Sequence, residues 1–138
     1  DFCAAQSVID EKHLCVVALD ENQQVVGSAD LYPMQKGKNT IMNVFVRPDQ
    51  RGKGIGRQLM VDGIEQVLVP LLEEPNLSTE NQETVLSLDV YTQNKPAIEL
   101  YLKLGYEPAS AMHAGTLKLA QITNSNLVVS LSKTVPVE

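Results

Sequence analysis

The sequence predicts a mixed α/β fold, formed as a single domain by residues 1–138. Short apolar runs separated by turn residues indicate strands at the front of the chain. From residue 55 onward, apolar positions recur at steps of three to five, which is the period of a half-buried helix. A further strand-like run and a second helical pattern follow. Strands that alternate with helices are typical of parallel crossovers, so we expect a central βαβα unit.

The strands are predicted from apolar and β-branched residues bounded by turns. The first two are joined by the polar turn at residues 20–24 and read as a hairpin, and Pro48 stops the third. After Tyr106 the pattern weakens, and two closing strands are expected. The predicted strands are residues 13–19, 25–31, 40–46, 84–90, 117–122 and 127–131.

Two helices are predicted. The first begins near Ile55 and ends or kinks at Pro70, because proline lacks the amide that a helix interior needs. Residues 73–83 are polar and acidic and read as a loop. The second helix covers residues 95–104, since Asn94 is a good N-cap and Gly105 is a good residue to follow the last turn.

Composition excludes several classes of protein. A net charge of −6 argues against broad nucleic-acid affinity. No apolar run approaches the roughly 20 residues that span a bilayer. Cys3 and Cys15 form neither a disulfide framework nor a zinc pattern, so we expect no metal. A reducing compartment fits, which predicts a cytoplasmic protein, or one inside an organelle if a leader has been removed.

The most informative stretch is Arg51-Gly52-Lys53-Gly54-Ile55-Gly56, which lies between a strand and a helix. Amides at a helix start lack partners and favour an anion, and glycine lets the backbone approach it closely. The spacing of the glycines does not meet the Rossmann fingerprint, and no Gly-Lys-Ser/Thr closes a Walker A loop. The stretch therefore predicts a pyrophosphate cradle that belongs to neither of these two motifs.

Two segments together resemble the GNAT superfamily of acetyl-CoA-dependent N-acetyltransferases. The first is the strand, proline and Arg51-x-x-Gly54-x-Gly56 sequence that opens a helix. The second, residues 88–106, is similar to the family's strand–Asn–helix unit, with Asn94, Ala97, Tyr101 and the pair Gly105-Tyr106. The resemblance covers about residues 13–108 and implies a GNAT-like mixed sheet.

The resemblance implies an acetyl-CoA site. The amides of residues 52–57 would hold the pyrophosphate, while backbone groups of the preceding strand would pair with the pantetheine arm. Asn94 would also contact the arm, although capping alone would explain it. The implied cofactor residues are Val44, Phe45, Val46, Arg51, Gly52, Lys53, Gly54, Ile55, Gly56, Arg57 and Asn94.

The resemblance also implies catalytic roles. Tyr101 would protonate the departing thiolate, and the alternative is a core tyrosine. Asp89 lies where relatives often carry a glutamate base, but a structural aspartate at a strand end explains it equally well. Asn43 could orient a water. His113 has a side chain that can act as a base, but nothing in the residues beside it places it at the site. His13 begins a strand and is expected to be structural.

The function implied is transfer of an acetyl group to a primary amine by direct attack in a ternary complex. A protein N-terminus is one acceptor, and a small cationic amine such as a polyamine or aminoglycoside is the other. A non-catalytic acyl-CoA-binding module and a homodimer also stay open. One departure is expected. The family's first strand and two helices, which commonly build a wall of the acceptor groove, are apparently missing or truncated in this sequence, whether cleaved, supplied by another chain or truly absent.

Overall fold

The computed structural model describes residues 3–10, 13–35, 37–72 and 83–136. They form two compact units, Asp1–Thr84 with Val135–Glu138, and Val85–Thr134. The strands are β1 (Cys3–Asp10), β2 (His13–Leu19), β3 (Val25–Gln35), β4 (Lys38–Val46), β5 (Glu83–Tyr91), β6 (Glu107–Pro108) and β7 (Val128–Pro136). The α-helices are α1 (Ile55–Gln58), α2 (Lys95–Lys103) and α3 (Ala111–Thr123).

The first unit is a four-stranded antiparallel sheet, with its strands in the order β1-β2-β3-β4. Helix α1 continues in wider π-type turns over Leu59–Leu68 and ends in a 3-10 turn at Val69–Leu71, which contains Pro70. We call residues 55–71 the long helix. The predicted first helix and its end at Pro70 are therefore confirmed.

The long helix packs on one face of the sheet at very short range. A Cβ atom on Gly63 would lie 2.9 Å from the Val16 side chain, so the two surfaces meet where the helix has no side chain. Val16, Ile64 and Leu68 are fully buried. Because successive strand residues point to opposite faces, His13, Cys15 and Val17 of β2 lie on the other face of the sheet.

In the second unit, strands lie in the order β5-β7-β6. Helix α2 begins after Asn94 and ends before Gly105, whose φ of 96° is the left-handed conformation expected after a last turn. Its buried residues include Ile98 and Tyr101, and β7 contributes Val129 and Leu131. The second predicted helix and the strand at residues 127–131 are confirmed.

The strand predicted at residues 117–122 is wrong, because this segment belongs to helix α3. Ser110 caps the helix by accepting a hydrogen bond from the His113 amide at 3.3 Å. Leu117 and Ala120 are its buried residues, one helical turn apart. Apolar residues at 117, 119, 120 and 122 fit both a strand and a helix, so periodicity alone could not distinguish the two structures.

A strand that the sequence analysis did not predict precedes β2. Strand β1 pairs antiparallel with β2, from Cys3 opposite Leu19 to Asp10 opposite His13. Only two residues separate β1 from β2, so the pair of helices that the family places there does not lie between these two strands. The predicted loop at residues 73–83 lies outside the described residues, apart from Glu83. That residues 1–138 form one domain stays a prediction.

Replacing Gly63 with Ala is expected to destabilise the protein by about 1–3 kcal/mol, since the new methyl group must displace Val16 or the helix. Urea unfolding checks it. The control is Gly115→Ala in α3, where a Cβ meets nothing within 4 Å; alanine there should be neutral or stabilise by about 0.5–1 kcal/mol. Equal stability of the two variants would contradict the close packing of the long helix.

Candidate functional site

The loop between β4 and the long helix has two left-handed glycines. Gly52 has a φ of 80° and Gly54 a φ of 81°, values that residues with a side chain rarely adopt. A Cβ atom at either position would meet nothing within 4 Å. Conformation rather than packing therefore requires glycine here, and the backbone of the loop faces open space.

The long helix starts without a side-chain cap. Gly54 occupies the N-cap position, and the Gln58 amide donates the first helical hydrogen bond to the Gly54 carbonyl at 3.1 Å. The amides of residues 55–57 precede that bond and have no acceptor within the helix. They lie at the positive end of the helix dipole, next to the open glycine backbone, which suits an anion.

The cations around this loop differ in their partners. Arg47 forms a two-pronged ion pair with Asp49, at 2.6 and 3.0 Å. This hydrogen-bonded pair raises the pKa of Arg47 and lowers the pKa of Asp49. The Arg51 side chain instead donates to the Val46 carbonyl at 3.0 Å, and Lys53 donates to the Gln50 amide oxygen at 3.1 Å. Neither has a carboxylate partner among the described residues, so their charges remain available to an anion.

Strand β4 is irregular just before the loop. Its register against β3 shifts between Ser28 and Asp30, and Asn43 at the shift has a φ of 55°. Val44, Phe45 and Val46 follow this bulge, and Phe45 is 51% exposed. A purely core role therefore does not describe the Phe45 side chain. The bulge and the glycine loop bracket the segment that the sequence associates with a pantetheine arm.

In the second unit, Asn94 stands at the N-cap of α2 but does not cap it. Its side chain accepts no hydrogen bond from the first turn, and the residue is exposed. The Asn94 amide instead donates to the Tyr91 carbonyl at 3.0 Å. The side-chain amide is thus not committed to the helix, which weakens the explanation by capping alone.

Tyr101 lies on the buried side of α2 and is 7% exposed. Its ring lies 6.0 Å from the ring of Tyr106, at an angle of 58°. Burial raises the pKa of the Tyr101 hydroxyl above its ordinary value of 10.0, because the phenolate would lose its hydration. The phenol therefore holds its proton at any physiological pH.

Asp89 has a partner that the sequence did not predict. The Ser130 hydroxyl on β7 donates a short hydrogen bond to the Asp89 carboxylate. The Ser130 amide also donates to Nδ1 of His113 at 3.2 Å. The structure thus brings Asp89 and His113 to the same serine. No local signal indicates this arrangement, because it depends on contacts between segments that are far apart in the sequence.

The turn after β5 is held by the segment that follows α3. Thr92 is buried, and its hydroxyl donates to the Ser125 carbonyl at 2.7 Å and accepts from the Leu127 amide at 2.8 Å. A cavity of about 220 Å³ lies beside it, with Lys95, Glu99 and Asn124 among its lining residues. These two hydrogen bonds of Thr92 fix the turn that leads into α2. Sequence reasoning missed it because the contact spans more than thirty residues.

Within the described ranges, no group of three or more His, Cys, Asp or Glu side chains could hold a metal ion. None of the helices in that part of the chain is long and apolar enough to span a bilayer.

Solved structures share this fold. Nourseothricin acetyltransferase is 22% identical, with a TM-score of 0.64 over 92% of this chain and 68% of its own. Mutant forms of spermidine/spermine N-acetyltransferase SpeG from Vibrio cholerae are 15% identical, with a TM-score of 0.61 over 91% and 66%. A candidate streptothricin acetyltransferase from Bacillus anthracis, solved with acetyl coenzyme A, is 14% identical, with a TM-score of 0.64 over 93% and 65%. No curated protein sequence matches the chain.

The family profile described as "Acetyltransferase (GNAT) domain" matches residues 11–108. This range contains the glycine loop, the long helix and all of α2. The bulged strand, the uncapped glycine loop and the Asn94–Tyr101 helix thus occur in the order that the resemblance implied. The chain belongs to the GNAT acetyltransferase family.

Proposed function

We propose that this protein binds acetyl-CoA and transfers its acetyl group to a primary amine. The observation that carries the proposal is the loop at Gly52 and Gly54, which turns open backbone toward the uncapped start of a helix. A pyrophosphate fits this loop, because several amide donors can converge on one dianion. Arg51, Lys53 and Arg57 would add positive charge at its rim.

The bulged end of β4 would receive the arm of the cofactor. An extended ligand can pair with a strand through main-chain hydrogen bonds, as an added strand does. Val44, Phe45 and Val46 follow the bulge at Asn43 and lead directly into the loop that would hold the pyrophosphate. An amide of this segment would polarise the thioester carbonyl and stabilise negative charge on its oxygen.

The chemistry is direct transfer. The amine nitrogen attacks the thioester carbon, the bond between carbon and sulfur breaks, and an amide and a thiolate form. Tyr101 would give its proton to the thiolate, and its raised pKa keeps that proton in place until sulfur departs. Asp89 would take the proton of the amine through a water, with the Ser130 hydroxyl holding its carboxylate.

Small amines are the favoured acceptors. The names of the similar structures mention nourseothricin, spermidine and spermine, which are substrates of those proteins. They support a small primary amine over the protein N-terminus that residues 88–106 suggested. A chain that binds acetyl-CoA and acetylates no amine would instead be a non-catalytic binding module.

A Gly54→Glu variant is expected to bind acetyl-CoA at least about tenfold more weakly, which corresponds to about 1.4 kcal/mol. The substitution strains a left-handed position and brings a carboxylate to the pyrophosphate. Isothermal titration calorimetry measures the change. Gly115→Glu is the matched control, because it adds the same side chain at an exposed helix position with open space. Equal affinity in the two variants would remove the loop as the cradle.

A Tyr101→Phe variant is expected to lose about 10²- to 10⁴-fold in kcat while its acetyl-CoA affinity stays within twofold. Thiol release from acetyl-CoA measures the first quantity and calorimetry the second. Tyr91→Phe serves as the control, since Tyr91 is 60% exposed at the end of β5. If the two variants turn over equally fast, Tyr101 is not the acid.

The pH profile of the unaltered protein provides a separate check on Tyr101. The protonated phenol is the active form, and burial raises its pKa above 10.0. Activity that depends on this proton should therefore persist up to pH 10 and fall only beyond it. A tyrosine-dependent limb below pH 10, absent from the Tyr101→Phe variant, would contradict the burial of this hydroxyl in the working enzyme.

A further inference from the structure

A recessed carboxylate, that of Asp30, lies on the face of the first unit's sheet opposite the long helix. Val16 and the residues aligned with it point toward the helix, whereas Asp30 of β3 points the other way. Asp30 lies directly across from Met42 of β4. The Asp30 side chain is 13% exposed, so it is largely buried but still accessible to solvent.

One oxygen of this carboxylate is held in place. The Asn43 side-chain amide donates to Oδ2 of Asp30 at 2.8 Å, and Nε2 of His13 lies 3.3 Å from the same oxygen. The His13 ring stacks on Tyr32, with centroids 4.1 Å apart and planes 13° from parallel. The stack fixes the imidazole, and the imidazole and the amide together fix the carboxylate.

The other oxygen takes part in none of these contacts. Among the described residues, no lysine or arginine pairs with Asp30, and its two neighbours are an amide and an imidazole. An imidazole is cationic only when it is protonated. The neighbours that the structure describes thus orient the carboxylate through an amide and an imidazole, and an arrangement of this kind suits a cationic ligand.

The position of this carboxylate is tied to β4. Residues that face each other across neighbouring strands have Cα atoms about 5 Å apart. Asp30 is thus one strand spacing from Met42. Asn43, whose side-chain amide donates to Asp30, is the left-handed residue of the bulge. The segment that would receive the acyl arm begins at the next residue, Val44.

The surroundings of the carboxylate are apolar. Met42, directly opposite Asp30, is 47% exposed, and Phe45, opposite Ser28 on the same face, is 51% exposed. Large apolar side chains beside one recessed charge suit a ligand with a cationic end and an apolar body. These surroundings favour one cationic end attached to an apolar body over a chain of several charges.

We propose that Asp30, oriented by Asn43 and His13, binds the ammonium group of the acceptor, with Met42 and Phe45 against its apolar body. The proposal rests on the proposed function and refines its substrate class to monoamines with an apolar or aromatic substituent. Before it reacts, the acceptor would lie on the face of the sheet opposite the long helix, beside the bulge of β4. Asp30 is thereby assigned to acceptor recognition rather than to cofactor binding.

The test is a steady-state assay of thiol release with three amines as probes: 2-phenylethylamine, spermidine and a tetrapeptide with a free N-terminus. We expect 2-phenylethylamine to have the lowest KM. Asp30→Asn should raise that KM at least tenfold, while the acetyl-CoA affinity measured by calorimetry stays within twofold. The control is Asp62→Asn on the long helix, which makes the same change of charge away from this face and should leave both quantities unchanged.

A second variant separates orientation from charge. Asn43→Gly keeps the left-handed backbone available but removes the amide that holds Asp30, so KM for 2-phenylethylamine should rise less than in Asp30→Asn. If the unaltered protein binds acetyl-CoA but Asp30→Asn leaves the KM for 2-phenylethylamine unchanged, the inference is overturned and the proposed function is not affected. A preference for spermidine or for the peptide would also overturn it. Loss of acetyl-CoA binding in the unaltered protein would instead reject the proposed function, and this inference with it.

Discussion

The absence of a side chain at Gly27 seats the long helix on the sheet. A Cβ atom there would lie 2.9 Å from the Phe45 carbonyl oxygen and 3.3 Å from the Ile55 side chain. Strand β3 therefore touches both the end of β4 and the first helical residue through one small position. Since the Arg47 amide also donates to the Val26 carbonyl at 2.8 Å, both ends of the glycine loop are anchored to the same strand. The loop can then be open at its tip because its ends are fixed.

Strand β4 connects the glycine loop with the Asp30 carboxylate within the first unit. Its last residues lead into the loop that would hold a pyrophosphate, and its bulge at Asn43 reaches back to Asp30. A left-handed asparagine in a strand is uncommon, and here a hydrogen bond to a neighbouring strand accompanies it. The same irregularity would thus present backbone to the acyl arm and orient the carboxylate proposed for the acceptor. One local distortion would serve both substrates.

Local signals were sufficient for much of this molecule. The glycine spacing at residues 52–56, the proline at 70 and the Asn94–Gly105 boundaries each express a backbone preference, so the sequence predicted them. Helix α3 was missed because its apolar residues fit two periods. The cluster of His13, Asp30 and Asn43 was missed for another reason: strand register brings these side chains together, and no short segment contains all three. The contact of Ser130 with Asp89 likewise depends on tertiary pairing.

An amide chemical-shift titration with acetyl-CoA, followed by ¹H–¹⁵N correlation spectra, tests whether the glycine loop and the end of β4 form the acetyl-CoA site. We expect the largest shifts at the amides of residues 52–57, with a second group at residues 44–46. Those amides would gain hydrogen bonds to the pyrophosphate and to the arm. Saturating binding that leaves both groups unmoved, while amides elsewhere shift, would contradict the assignment of this loop and strand as the acetyl-CoA site.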